Sequence, residues 1–172
     1  GNLYVIDYNS EQIIRFDGST GTYLDIFTEY DDKPEGIPRS AFNPSGNVSM
    51  VFTPEDRLLI GRVGADPGSC CGPVQVLQFS ASSGRFENVL VNSGLIESAG
   101  EATFGPEGDL YVASNSYVLA FDGPTGQFNT LIQTFSDNGS NGLAFSPGGH
   151  LYISTPERLL RYDPAADEVI DV

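Results

Sequence analysis

FTPEDRLLI from Phe52, FGPEGDLYV from Phe104 and FSPGGHLYI from Phe145 are three versions of one phrase. Each opens on an aromatic residue, passes through a turn carrying Pro, and closes in a run of Leu, Tyr and β-branched residues. A second apolar run follows, ending in an aromatic and a small polar residue: VLQFS from Val76, VLAFD from Val118, LLRYD from Leu159. A headless copy opens the chain as GNLYV, with IIRFD from Ile13 as its second run. Phe104 and Phe145 are 41 positions apart, and Phe52 and Phe104 are 52 apart. Repetition at roughly 40 residues, with several short β-like runs per unit, marks a propeller or solenoid.

The longer second spacing has one source. From Leu110 to Phe121 and from Leu151 to Tyr162 the distance is 11 positions, but from Leu58 to Phe79 it is 21, so the extra length is a loop at 64–73, GADPGSCCGP. Four strands can be read in a unit. The first, a, is short and ends before a Pro that removes a backbone donor (MVF, ATF, LAF). The second, b, is the Leu-, Tyr- and Ile-rich run, and the third, c, is the IIRFD-like run. Turns such as DGSTG, SASSG, DGPTG and DPAAD then lead to a fourth, alternating run, d, on the solvent side. No segment keeps a helical period. The expected fold is all-β, a β-propeller of about four blades, with units near 1–35, 49–91, 101–135 and 141–172. Phe52, Phe104 and Phe145 are expected in equivalent buried positions. A rival phase exists, because Phe42-Asn43-Pro44-Ser45-Gly46 imitates the turn after strand a; the spacing shared by three units favours the Phe52 phase.

Composition agrees with this reading and limits the function. The 172 residues are 40% hydrophobic and include 20 Gly and 11 Pro, enough apolar material for a core and enough turn formers for an antiparallel protein. No apolar run is long enough to span a membrane. A net charge of −15, with Lys33 the single lysine, repels phosphate backbones and anionic lipid, so nucleic acid is not an expected partner. The densest acidic stretch, Glu29, Asp31, Asp32 and Glu35, lacks the ligand order of an EF-hand; calcium at Asp31 and Asp32 is the one cofactor the composition raises, and otherwise none is expected. The opening on GNLYV, without an initiator Met, predicts a processed or excerpted chain.

Cys70 and Cys71 are adjacent and have no other cysteine to pair with. With one His they cannot complete a structural zinc site. A vicinal disulfide, a bridge to another chain and two free thiols remain, the oxidised forms being favoured outside the cell. Asn47 and Asn138 begin sequons compatible with export. No catalytic residue can be defended: His150 lies in a Gly-Gly-His turn, and neither a nucleophile elbow nor a phosphate loop occurs.

The units GLAFSPGGHLYIS, ATFGPEGDLYVAS and LYVIDYNSEQIIRFDGSTGTYL resemble propeller repeats of the NHL type and of the SMP-30/gluconolactonase superfamily, and are similar to those of secreted bacterial propeller-repeat proteins. The resemblance covers the chain apart from the loop around Cys70 and the stretch from Glu29 to Asn47. It implies a six- or seven-bladed ring, and for SMP-30-like lactonases a metal on the axis held by oxygen ligands of the innermost strands. Asn141-Gly142-Leu143 matches the lead-in that carries one such ligand, and Glu101 stands at the neighbouring lead-in. Propellers serve enzymes and pure binding modules alike. A secreted or cell-surface binding or assembly module is the leading expectation, and a metal-dependent hydrolase or lyase the alternative. The first unit lacks strand a and the last ends on strand d, so the usual closure of a ring is not at hand. Either a longer chain completes a ring of six to eight blades, or copies associate as a homo-oligomer or filament. Recognition is expected on the loop face bearing the Cys70-Cys71 insertion and the Glu29–Glu35 connection.

Overall fold

The computed structural model describes residues 1–7, 12–28, 49–53, 55–63, 74–96, 101–134 and 142–172. These residues form fifteen strands and no helix. β1 (Asn2–Asp7), β2 (Gln12–Asp17) and β3 (Tyr23–Thr28) make a three-stranded sheet. β4 (Ser49–Phe52), β5 (Arg57–Val63), β6 (Val74–Ser80) and β7 (Phe86–Ser93) make a four-stranded one. So do β8 (Ala102–Phe104), β9 (Leu110–Ser114), β10 (Tyr117–Phe121) and β11 (Phe128–Gln133), and then β12 (Gly142–Phe145), β13 (Leu151–Ser154), β14 (Leu159–Asp163) and β15 (Glu168–Asp171). Each sheet is an antiparallel meander in chain order, which is the form of a propeller blade. We number the blades 1 to 4.

Turn chemistry fixes the joint between strands c and d. In blade 1 the Asp17 carboxylate accepts hydrogen bonds from the backbone N–H groups of Ser19 and Thr20 at 2.9 and 2.7 Å, while Gly21, at φ 70°, returns its N–H to the Asp17 carbonyl. Asp122 and Gly126 repeat the device in blade 3, and Ser80 with Gly84 does so in blade 2. A short polar side chain caps the turn and a residue in the left-handed region closes it. Blade 4 places Asp167 there, at φ 53°.

Strand alternation gives every blade two faces. We call the face toward the lower-numbered blade leading and the other trailing. Three apolar seams join the blades in sequence. Ile13 and Phe27 of blade 1 pack on Leu58, Ile60, Leu77 and Phe79 of blade 2. Leu59, Val76 and Val91 of blade 2 meet Leu110, Val112, Leu119 and Phe121 of blade 3. Tyr111, Val118, Ala120 and Ile132 of blade 3 meet Leu151, Ile153, Leu160 and Tyr162 of blade 4. The same positions of the repeat recur on the same side of each seam.

One expectation needs correction. Phe52, Phe104 and Phe145 do hold equivalent places, each ending strand a opposite Leu58, Leu110 or Leu151. None is fully buried, and Phe52 is 40% exposed. Strand a is the edge of its sheet; Phe104 and Phe145 are half-buried against the seam cores, and across the seams Phe52 meets Tyr4 at 4.6 Å and Phe145 meets Tyr111 at 5.0 Å between centroids.

Candidate binding surfaces

Of the candidate metal, disulfide and glycosylation residues, Glu101 is described by the structure. Asn141, Asp31, Asp32, Cys70, Cys71, Asn47 and Asn138 lie outside the described residues, as do the loop at 64–73 and the connection from Glu29 to Glu35. Glu101 immediately precedes β8. Its carboxylate accepts a hydrogen bond from the Leu143 backbone N–H at 3.1 Å, and its carbonyl accepts one from Ala113 N–H. The side chain therefore ties blade 3 to the first strand of blade 4, at the lead-in the resemblance marks. Among the described residues no group of three or more His, Cys, Asp or Glu side chains is placed to hold a metal ion. Of the two donors that the resemblance implies, Asn141 and Glu101, Glu101 is the one described.

His150 precedes β13 in the turn its sequence predicts. Its Nε2 lies 3.6 Å from a carboxylate oxygen of Asp163, both side chains about one-third exposed. The Ser146 hydroxyl lies in the same turn and accepts a hydrogen bond from the His150 backbone N–H at 3.3 Å.

The seam between blades 3 and 4 opens into a cleft of about 340 Å³ whose lining includes Glu107, Asp109, Tyr111, Thr130 and Tyr162. Burial pushes the Tyr111 phenol above its ordinary pKa, reinforced by the negative charges of Asp109 and Glu107. Tyr162 is raised further, again mainly by burial, and its hydroxyl donates to Asp167 at 2.9 Å. Asp109 also accepts from the Asn129 side chain at 2.9 Å. The cleft is thus rich in acceptors and electrostatically negative. Sequence reading passed over it because its parts come from two blades; the acidic turn Glu107-Gly108-Asp109 beside Tyr111 is the signal that was present.

The largest unassigned features are two sheet faces. On the leading side of blade 1, Leu3 pairs across the strands with Phe16 and Val5 with Ile14; Ile14 pairs with Ile26, and Phe16 meets Tyr23 at 6.1 Å. Leu3 is 55% exposed, Val5 40% and Tyr23 55%, although their counterparts Leu58 and Ile60 in blade 2 are completely buried. On the trailing side of blade 4, Tyr152, Arg161 and Ile170 stand in one cross-strand row with Leu159 beside it. Leu159 and Ile170 are exposed, and the Arg161 Nε is buried with no hydrogen-bond partner among the described residues.

No protein-family model matches the chain, and no curated protein matches it. Solved structures do match. U3-55K is similar with a TM-score of 0.69 at 14% identity, over 99% of this chain and 47% of that one. The WD40 repeats of RRP9 give 0.68 at 13% identity, over 99% and 47%. The fold is a β-propeller. An extracellular domain from B. thetaiotaomicron, of a protein described as a one-component system (BT4673), gives 0.61 at 17% identity, over 99% of this chain and 21% of that one. The chain spans less than half the length of each of these structures.

Proposed function

We propose that this propeller is a binding and assembly module, working outside the cell or at its surface, that associates with copies of itself. The observation that carries the reading is the propeller fold, four antiparallel blades like those of U3-55K and the RRP9 WD40 repeats. An extracellular setting is supported by the likeness to two extracellular propeller domains and by the strongly acidic composition. Within the propellers we take the NHL and SMP-30 type as the parent of these repeats, on phrases such as GLAFSPGGHLYIS. A metal-dependent hydrolase or lyase is the alternative, with Glu101, whose carboxylate also accepts from the Leu143 N–H, as the one implied donor among the described residues. Multi-angle light scattering of the 172-residue chain at micromolar concentration tests the reading. The expected result is a mass that rises in steps of one chain; a well-folded monomer at every concentration overturns it.

A further inference from the structure

The trailing faces of blades 1 and 3 carry the same cross-strand row with different chemistry. In blade 1 strands b, c and d contribute Tyr4, Arg15 and Asp25 in register; in blade 3 they contribute Tyr111, Ala120 and Thr130. Arg15 closes its row from within, donating to the Tyr4 hydroxyl and, through Nε at 3.0 Å and a second nitrogen, to Asp25. Blade 2 supplies its cation from strand b instead: Arg57 donates to the Gln78 side chain at 3.2 Å, and Gln78 donates in turn to Glu87 at 2.7 Å. Blade 3 has neither arginine. Ala120 stands at the repeat position of Arg15 and Asp109 at that of Arg57, and here the seam opens into the cleft of about 340 Å³. We propose that the cleft between blades 3 and 4 binds the guanidinium group of an external ligand, in the place that Arg15 fills for blade 1.

Tyr111 gives a sign independent of the charges. The residue is 5% exposed and lines the cleft, yet its hydroxyl has no hydrogen-bond partner among the described residues. The hydroxyl of Tyr4 takes a guanidinium nitrogen, and that of Tyr162 is engaged with Asp167. A phenol held this deep needs a partner, and the cleft is where one can enter.

The acceptors around it suit a flat cation. A Cβ on Gly105 would stand 2.8 Å from the Tyr111 ring and 3.6 Å from a Glu107 carboxylate oxygen, so the bare glycine lets that carboxylate lie close to the ring. Asp109 accepts from Asn129 through one oxygen and has no donor on the other among the described residues. A guanidinium carries five N–H donors in a plane and stacks on aromatic rings, which matches acceptors set on several sides of two tyrosines. The volume lies at the small end of ligand pockets, about 300 to 1,000 Å³, and fits a group of side-chain size. Both walls are neighbouring blades within the chain, so the site stands apart from any association of copies.

Amide NMR of the 172-residue chain tests the site with two probes, propylguanidinium and the capped tripeptide Gly-Arg-Gly. Titration to about 10 mM registers millimolar affinities. Saturable shifts are expected at 105–111, 129–130 and 162–165, and none with propylurea, the uncharged isostere. Both probes binding marks an arginine of a polypeptide as the ligand; propylguanidinium alone marks a small molecule, and either result supports the site. Asp109→Asn and Tyr111→Phe are each expected to weaken binding about tenfold. Ala120→Arg, which puts an arginine at the position Arg15 holds in blade 1, is expected to block it. Circular dichroism confirms folding, and the first two variants carry the test if Ala120→Arg does not fold. Unshifted cleft amides with both probes, propylurea binding as well as propylguanidinium, or full affinity in the folded variants overturns the proposal.

Discussion

Gly21 and Gly84 close equivalent hairpins with the same φ of 70°, yet their surroundings differ. A Cβ on Gly21 would meet nothing, whereas one on Gly84 would overlap the carbonyl oxygen of Phe27 in the preceding blade, where Thr28 also donates to the Gly84 carbonyl at 2.7 Å. Alanine at either site incurs the left-handed backbone strain, about 1 kcal/mol. At Gly84 it must also push two backbones apart across the first seam. Gly84→Ala is therefore expected to destabilise the protein by about 2 to 4 kcal/mol and Gly21→Ala by about 1, read from urea unfolding. Equal losses would mean that the hairpin does not bear on the blade before it. The glycines themselves are plain in the sequence, as the last residues of DGSTG and SASSG. What they touch is not, because the contact joins residues 57 positions apart.

At the scale of the element, strand c and its turn act as a unit set by short-range chemistry. The Asp17 carboxylate lies below its ordinary pKa, first because the Thr20 backbone N–H donates to it, then the Thr20 hydroxyl and the Ser19 N–H. A depressed folded-state value means that the turn's contribution is present above the unfolded pKa, about 3.9, and is lost as pH falls through the folded value. The hairpin from Asp17 to Thr22 is expected to hold at pH 4 and to loosen below it. Carboxyl carbon NMR should place the Asp17 midpoint under that of an unstructured peptide; an unshifted midpoint would show that the cap is not formed in solution. Such elements could be read ahead of the structure, since alternation and turn residues are local. The phase chosen for the phrases at Phe52, Phe104 and Phe145 puts all three at the end of strand a, but the burial expected for them is only partial at Phe104 and Phe145 and lost at Phe52, because an edge strand leaves one flank of its last residue in solvent.

For the whole molecule, charge would oppose the proposed association of copies. Each chain carries a net charge of −15, and two copies would have to approach one another against that repulsion. Raising ionic strength from about 0.01 M to 0.15 M shortens the screening length from about 30 to 8 Å, so association should tighten with salt. Sedimentation at the two ionic strengths checks this; weaker association in salt would point to ion pairs instead of apolar faces as the contact. The sequence by itself determined the all-β class, the repeat of four units and the strands within each unit, because each of these is written in spacings and turn residues a few positions long. Only the tertiary structure decided which apolar side chains are covered. Leu3 and Leu58 are the same residue type at the same position of the repeat, and one is exposed while the other is sealed. The negative cleft likewise exists only where Asp109 of one blade comes beside Tyr162 of the next. Burial and electrostatic neighbourhood are relations between blades, and a unit that repeats its own sequence carries no mark of whether another unit stands beside it.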